Sequence, residues 1–258
     1  MKEWDILSWK KDEKGIAYCE FSSPFQRGIS ALRILEPNDY SNSSLLLFLP
    51  VESQLNSRYG DGIREALLQK LHQKHNYIIV APTFKVVPWY FDLDDSKTVL
   101  QESHIVYCII PMLNEIYSLH EKKAFLLGYS KSGFGALNIL FHHWDLIGGI
   151  SIWDPVLTVK QDVFKTLYSN DGVIDFENKY NLEKNIERLR VENKTSLKIA
   201  LSGYDYFHDQ IQSMHHLLKK SGIKHLYDNS SFYEHIWHGG WLPMAMEMLN
   251  KIRKKTEI

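Results

Sequence analysis

One segment decides the fold of this chain. Residues 124–137 read AFLLGYSKSGFGAL, which is a short apolar run, a turn and the start of a helical pattern in direct succession. Within the turn, Gly128 and Ser132 stand two positions before and two positions after Ser130. A strand that turns sharply into a helix needs small residues at those two positions, because the elements close tightly around the central residue. The segment therefore predicts a buried strand, a strained turn at Ser130 and a helix.

Short apolar runs, each followed by a helix-like segment, repeat on both sides of this turn. Continuous apolar runs are typical of strands that are buried on both faces of a parallel sheet. The strand-like runs are 45–49, 77–81, 124–127, 149–153 and 197–201, with a weaker one at 225–232, and the helical patterns lie at about 61–75, 99–120, 132–142, 209–221 and 241–254. Two earlier runs, 16–21 and 29–35, predict an antiparallel opening. This order predicts an α/β fold with a doubly wound, mostly parallel sheet and antiparallel N-terminal strands.

The length of 258 residues suits one large α/β domain and is too short for two. We therefore expect residues 1–258 to form a single domain. The segment at about 155–195 interrupts the alternation of strands and helices, because it is polar and rich in Asp, Asn and Lys. It predicts a small cap-like insertion over the carboxyl edge of the sheet.

Composition and charge narrow the classes of partner. The formal net charge is −1, with acidic and basic residues interspersed, so the sequence favours neither nucleic acid nor an anionic membrane as a partner. No apolar stretch has the length of a membrane span or of a signal peptide. The two cysteines, Cys19 and Cys108, lie far apart in apolar segments and predict buried free thiols in a reducing compartment. A cytoplasmic location is the resulting expectation.

The turn at Ser130, together with the strand before it and the helix after it, resembles the nucleophile elbow of the α/β-hydrolase superfamily. The resemblance is closest to the esterase-D-like and carbohydrate-esterase-like serine hydrolases. It implies the α/β-hydrolase fold, Ser130 as the nucleophile, and an acid and a histidine that follow later in the chain.

The resemblance implies an acid at the end of a later strand, and two aspartates fit. The run 197–201 ends in Gly203-Tyr204-Asp205, so Asp205 is the preferred acid. The alternative is Asp154, which ends the run before it, since some members of the superfamily carry the acid one strand earlier.

Two histidines compete for the role of base in the loop at 233–243. Related esterases often have a tryptophan two residues after the histidine, and His235 with Trp237 has that spacing. His235 also lies closer to the end of the last predicted strand, where a base must lie to reach Ser130. His235 is preferred, and His238 remains the alternative.

Acyl transfer also needs backbone N–H donors for the oxyanion that develops in the transition state. The first candidate is the amide of Lys131, which follows the nucleophile. The second is the amide of Val51 or of Glu52, in the loop after the run 45–49, because Pro50 has no N–H to donate.

Four aromatic residues are predicted to contact substrate. They adjoin the ends of predicted strands or the histidine loop, and they are Tyr129, Trp89, Trp153 and Trp237. No zinc-ligand spacing is present, and the resemblance implies neither a metal nor a cofactor.

The preferred function is hydrolysis of a small-molecule carboxylic ester through an acyl-enzyme. The same residues would also serve a serine peptidase or amidase. A non-catalytic binding protein with this fold is the second alternative, because a fold does not determine a function. The sequence leaves the oligomeric state open.

Overall fold

A computed structural model of the chain describes residues 4–40, 42–53, 58–92, 99–119, 122–158 and 179–254. In these residues nine strands form one sheet. The strands are β1 (Asp5–Lys11), β2 (Ala17–Ser22), β3 (Ile29–Leu35), β4 (Ser44–Phe48), β5 (Tyr77–Pro82), β6 (Ala124–Ser130), β7 (Ile147–Pro155), β8 (Ile199–Ser202) and β9 (His225–Asp228). The helices are α1 (Gly62–Leu68), α2 (Leu71–Lys74), α3 (Gln101–Ser103), a π-helix (His104–Ile109), α4 (Ile110–Ile116), α5 (Lys131–His142), α6 (Leu182–Val191), α7 (His208–Lys220) and α8 (Leu242–Lys254).

The sheet is antiparallel at its start and parallel in the rest. The strand order is β1-β2-β3-β5-β4-β6-β7-β8-β9, and the antiparallel pairs are those among β1, β2, β3 and β5. The chain passes from β4 outward to β5 and then returns across β4 to β6. The carboxyl ends of β4 and β6 therefore form a topological switch point, which is where open α/β sheets place their ligand sites.

Two hydrophobic clusters cover the two faces of the sheet. One contains Leu137 of α5 and Ile186 of α6, and the other contains Met246 of α8 and Ile63 of α1. Side chains alternate between the faces of a strand, so the central strands need apolar residues on both sides. Strand β5 is buried at every position and β6 at all but its last, which explains their unbroken apolar runs.

The predicted α/β architecture is confirmed, including the antiparallel opening and the parallel strands that follow. The sequence reading missed β1, whose burial is slight, and α6. Helix α6 lies within the predicted insertion at 155–195 and contributes Ile186 and Leu189 to the core cluster that contains α5. Residues 159–178 of that insertion lie outside the described residues.

Both cysteines are buried free thiols, as the sequence predicted. In the described part of the chain, every helix is too short or too polar to cross a membrane.

A buried carboxylate ties the helical segment after β5 to the end of α5. Oxygen Oε1 of Glu102 lies 2.8 Å from Nδ1 of His142 and 2.8 Å from Nε2 of His143. Burial acts to raise the pKa of Glu102, but the hydrogen bonds with the two histidines together outweigh it and hold the pKa well below its usual range. The ionised carboxylate therefore stabilises the contact between these elements.

Replacing Glu102 by glutamine is expected to lower the free energy of unfolding by about 2 kcal/mol or more at neutral pH, because a neutral amide replaces a hydrogen-bonded buried carboxylate. Since the pKa of Glu102 is depressed in the folded state, its contribution is complete above the unfolded pKa of about 4.3 and is lost as the pH falls below it. Urea unfolding of both proteins at neutral pH and near pH 4 should show a smaller difference at the lower pH.

The matched control is Glu187→Gln, which breaks an exposed ion pair with Arg190 and should leave the unfolding free energy nearly unchanged. A destabilisation by Glu102→Gln that grows as the pH falls would contradict the prediction.

Candidate active site

The chain turns at Ser130 from β6 into α5 through a strained backbone. Ser130 has φ 52° and ψ −133°, a left-handed conformation that is unfavourable for residues other than glycine. Space around the turn is tight, because a Cβ atom added to Gly128 would lie 2.6 Å from the carbonyl oxygen of Ser132. The small residue predicted at position 128 is therefore a steric requirement.

Ser132 holds the turn in place with its side chain. Its fully buried hydroxyl donates to the carbonyl oxygen of Tyr129 at 2.9 Å and accepts from the amide of Tyr129 at 3.0 Å. These two hydrogen bonds tie the first turn of α5 to the end of β6. Ser130, in contrast, is only partly buried at the carboxyl end of β6.

Asp154 lies beside Ser130 on the neighbouring strand because of a bulge in β7. In the pairing of β6 with β7, Tyr129 is opposite Trp153 and Ser130 is opposite Pro155, so Asp154 is the extra residue. It has φ 41°, and it is fully buried. A β-bulge redirects one side chain out of the regular alternation.

The carboxylate of Asp154 binds the imidazole of His235. Oxygen Oδ2 of Asp154 accepts from Nδ1 of His235 at 2.7 Å, and Oδ1 accepts from the amide of Phe207 at 3.3 Å. The side chain of His235 is 10% exposed, so the pair is largely shielded from water. When the imidazole is neutral, a hydrogen bond donated by Nδ1 to the carboxylate leaves the lone pair on the other ring nitrogen, Nε2.

Aromatic rings fix the orientation of His235. The imidazole makes edge contacts with Tyr129, Tyr206 and Phe207, at centroid distances of 5.3, 5.5 and 5.7 Å. Tyr129 immediately precedes Ser130, so the imidazole contacts the side chain of the residue before the turn. Among the described residues, no hydrogen bond joins Ser130 to His235.

The structure pairs His235 with Asp154, the alternative acid, and not with Asp205, the preferred one. The bulge at Asp154 brings that carboxylate to His235, while the loop after β8 supplies the amide of Phe207 to the same carboxylate. Asp205 lies nearby and partly exposed, and its pKa is raised by burial and then by the negative charge of Asp154, with His235 acting in the opposite sense. The alternative acid named from the sequence, Asp154, is the one that meets the imidazole.

His238 lies elsewhere in the same loop. A Cβ atom added to Gly60 would approach Nδ1 of His238 to 2.7 Å, so His238 packs against the turn before α1. The loop is anchored there by a hydrogen bond from the amide of Trp237 to the carbonyl oxygen of Tyr59, at 2.8 Å. Of the two histidines, His235 is therefore the one that contacts Asp154, the alternative acid.

Three of the four predicted substrate-binding aromatics belong to the core. Tyr129, Trp153 and Trp237 are at most 4% exposed. Their rings pack around Trp241, at centroid distances of 5.3, 6.1 and 5.4 Å respectively. The structure therefore places these three rings in the core, and their contact with substrate stays a prediction. Trp89 is partly exposed and remains a candidate.

The predicted oxyanion donors lie on the two elements of the switch point. Lys131 is the first residue of α5, so its amide precedes the first intrahelical hydrogen bond and points out of the helix. Val51 and Glu52 follow β4, which is paired directly with β6. Since β4 and β6 are parallel neighbours, the amides after them share one edge of the sheet.

Sequence reasoning missed the residue that holds the loop after β4. The buried hydroxyl of Tyr90 donates to the carbonyl oxygen of Pro50 at 2.5 Å, and its ring fills the space that a side chain at Gly135 of α5 would need. The side-chain oxygen of Gln101 accepts from the amides of Trp89 and Tyr90 at 2.9 and 2.8 Å. Tyr90 therefore joins the predicted oxyanion loop to the helix that follows Ser130. The only sequence signal is the glycine at position 135.

The side chain of Lys131 carries a perturbed ammonium group beside the turn. Its pKa is lowered to about 8 in all, chiefly by burial and to a smaller extent by the charge of Arg58, while the charge of Glu52 acts to raise it. Its Nζ lies 5.5 Å from the centre of the Trp89 ring, within range of a cation–π interaction. A partly desolvated cation therefore lies next to the turn.

The sequence matches no known protein-family model and no curated protein. Solved structures do match. The serine hydrolase FphF of Staphylococcus aureus, described as fluorophosphonate-binding, has a TM-score of 0.71 and 14% identity, with 91% of this chain and 98% of that chain covered. A ferulic acid esterase has a TM-score of 0.67 and 14% identity, with 98% and 99% covered. An S-formylglutathione hydrolase of Agrobacterium tumefaciens has a TM-score of 0.65 and 12% identity, with 95% and 99% covered.

These similarities establish the fold. The chain has the α/β-hydrolase fold over nearly its whole length, as the resemblance at the turn implied. At 12–14% identity, a similar fold does not establish a shared activity.

Proposed function

We propose that this chain is a serine hydrolase that cleaves a carboxylic ester through an acyl-enzyme, with Ser130 as the nucleophile, His235 as the base and Asp154 as the residue that orients the base. The observation that carries the proposal is the 2.7 Å hydrogen bond between His235 and Asp154 at the strained turn that bears Ser130. A nucleophile, a base next to it and a third group that orients the base are the signature of nucleophilic catalysis by serine.

The first half of the reaction forms the acyl-enzyme. Oxygen Oγ of Ser130 attacks the ester carbonyl carbon while its proton passes to Nε2 of His235. The tetrahedral intermediate collapses, the bond between the carbonyl carbon and the alcohol oxygen breaks, and Nε2 gives the proton to the departing alcohol. In the second half, His235 activates a water molecule that releases the carboxylic acid and restores Ser130.

Asp154 supports both halves without gaining a proton. It holds the imidazole in the tautomer that exposes the lone pair of Nε2, and its negative charge stabilises the imidazolium that forms. Because the carboxylate is fully buried and its other oxygen is bound by the amide of Phe207, the orientation of the pair is well defined. Hydrogen bonds to a nucleophile often form only when substrate binds, so the lack of one between Ser130 and His235 in the described residues is compatible with these roles.

Two amides are proposed to bind the oxyanion. One is that of Lys131, at the positive end of the α5 dipole. The other is that of Val51 or Glu52, on the loop that Tyr90 holds through Pro50. Every role in the reaction is filled by a group of this chain.

An ester is favoured over an amide or peptide as the substrate. The structures similar to this chain over nearly its whole length include a protein described as an esterase, and the proposal carries that activity to this chain. We infer that the substrate is a small-molecule ester. The ammonium of Lys131 and the face of Trp89 would lie beside its acyl or alcohol group.

A fluorophosphonate probe tests the nucleophile, because it bonds covalently to an activated serine. The wild-type protein is expected to be labelled and Ser130→Ala to lose labelling entirely, as read by intact-protein mass spectrometry. Ser196→Ala is the matched control, since it removes an exposed hydroxyl before the amino end of β8, far from Ser130, and it should still be labelled. Absence of labelling in the folded wild-type protein would favour a non-catalytic protein and contradict the proposal.

The acid is tested by Asp154→Asn, with Asp205→Asn as the matched control. Asparagine at position 154 would favour the wrong tautomer of His235, so kcat for a short-chain aryl ester should fall by about 10³-fold to 10⁴-fold. Asp205→Asn should change kcat by less than about tenfold, since Asp205 acts only through its charge at a distance. Circular dichroism and thermal unfolding establish that both variants fold. A larger loss in Asp205→Asn than in Asp154→Asn would assign the acid to Asp205.

A further inference from the structure

The side-chain ammonium of Lys131 lies beside the proposed nucleophile without a partner of opposite charge. Lys131 directly follows Ser130 and is partly buried. In the described part of the chain, no carboxylate lies within ion-pair distance of its Nζ atom, and no protein group accepts a hydrogen bond from it. An ammonium has three N–H donors, so these donors are left for water or for a ligand.

The surroundings of this ammonium oppose its positive charge. Lys131 is the first residue of α5, where the positive end of the helix dipole disfavours a cation. Burial is the largest influence on its pKa, Glu52 acts to raise the pKa and Arg58 to lower it, and the pKa is about 8 in all. A cation in this position costs stability instead of adding to it, which is typical of residues that serve a site.

The acidic residue that acts on Lys131 does not neutralise it. Oxygen Oε1 of Glu52 accepts from Nε of Arg58 at 3.2 Å, so that carboxylate already has a cationic partner. Together, Lys131, Glu52 and Arg58 therefore carry one excess positive charge. An anionic group on a ligand would compensate that charge.

The ring of Trp89 limits where the ammonium can lie. Its centre is 5.5 Å from Nζ of Lys131, within range of a cation–π interaction. The amide of Trp89 donates to the buried side chain of Gln101 at 2.9 Å, and the ring stacks on that of Phe91, with centroids 6.4 Å apart. A fixed ring thus keeps the ammonium near the turn, while the N–H groups that face away from the ring stay available to an anion.

The position of the ammonium selects one half of an ester. It lies against Trp89, which follows β5, and within electrostatic range of Glu52, which follows β4. His235 bonds to a carboxylate near the end of β7 instead. Since the strand order is β5-β4-β6-β7 and Ser130 ends β6, the ammonium and the imidazole lie on opposite sides of the serine. In the proposed reaction His235 gives its proton to the alcohol, so the acyl group extends toward Lys131.

We propose that Lys131 selects esters whose acyl group carries a carboxylate, that is, monoesters of dicarboxylic acids. The carboxylate of the substrate accepts hydrogen bonds from the ammonium and supplies the opposite charge that the protein does not. Hydrolysis takes up one water molecule and releases the alcohol and the dicarboxylic acid, so no further reactant is needed. The inference rests on the proposed hydrolysis at Ser130 and names the class of substrate for it.

Two para-nitrophenyl esters with acyl chains of equal carbon number test the inference. The hexanoate ends in a methyl group and the hydrogen adipate in a carboxylate, and the spontaneous hydrolysis of each is subtracted. The ratio of their kcat/KM values, adipate over hexanoate, cancels any effect that a substitution has on both esters alike.

The wild-type protein is expected to cleave the adipate with the higher kcat/KM. The ratio should fall by about tenfold or more in Lys131→Met, because methionine keeps an unbranched chain against Trp89 and removes the charge. Lys131→Arg, which keeps the charge, should retain most of the ratio. Lys220→Met, at the exposed end of α7, is the matched control and should change the ratio by less than about twofold.

The pH dependence of the same ratio separates charge from shape. Because kcat/KM reports the ionisation of the free protein and the ammonium is charged below its pKa of about 8, the ratio should be complete below that pH and fall above it. The other charged groups that act on the ammonium are the carboxylate of Glu52 and the guanidinium of Arg58, and neither type of group titrates near that pH. In Lys131→Met the ratio should not change over this range.

The outcomes separate this inference from the proposed function. A ratio that is equal in the wild type and Lys131→Met, or poorer cleavage of the adipate than of the hexanoate by the wild type, would overturn the inference. So would absence of adipate hydrolysis in a protein that a fluorophosphonate labels at Ser130. In each case the labelling still supports a serine hydrolase, whereas absence of both labelling and hydrolysis would contradict the proposed function itself.

A third ester tests the choice of the acyl half. In meta-carboxyphenyl hexanoate the carboxylate is on the alcohol half, and its kcat/KM relative to phenyl hexanoate should not depend on Lys131. A loss in Lys131→Met that is confined to this ester would place the anion on the alcohol half and overturn the inference. Thermal unfolding establishes that each variant folds.

Discussion

The backbone at Ser130 is the constraint on which the site depends. A left-handed conformation at a serine costs about 1–3 kcal/mol and persists only when the surrounding structure determines it. Here the preceding strand is buried at every position before Ser130, and the hydroxyl of Ser132 binds both backbone groups of Tyr129. The strained turn ends β6 at Ser130 and starts α5 directly after it, so the proposed nucleophile and the amide of Lys131 are positioned together.

Close packing around this turn brings the neighbouring strand into the site. A Cβ atom added to Gly133 would lie 2.6 Å from Cβ of Pro155, so α5 and the end of β7 touch. Next to Pro155, Asp154 is the second left-handed residue of the site and the extra residue of a bulge. Two strained residues on adjacent strands thus place a hydroxyl and a carboxylate at one edge, and the loop after β9 adds the imidazole. Strain concentrated in this way is typical of functional sites.

The sequence could predict what depends on local sterics and on periodicity. The turn at Ser130 follows from small residues at positions 128 and 132, and the parallel strands follow from their continuous apolar runs. The carboxylate that bonds to His235 could not be chosen this way, because the choice between Asp154 and Asp205 depends on a bulge that no local sequence pattern predicts. The burial of the large aromatic residues could not be predicted either, because a tryptophan at the end of an apolar run, such as Trp153, gives the same sequence pattern in a core as in a binding site. His235, preferred over His238 because it lies closer to the end of β9, is the histidine that bonds to Asp154, and its role as the base stays a proposal.

The central claim is that His235 and Asp154 form one hydrogen-bonded pair beside Ser130. Proton NMR measures it directly, because an imidazole N–H that donates to a buried carboxylate resonates far downfield of the amide protons. We expect one such resonance to vanish in His235→Ala, which assigns it, to vanish also in Asp154→Asn, and to persist in Asp205→Asn. Persistence of the His235 resonance in Asp154→Asn, together with its loss in Asp205→Asn, would contradict the claim.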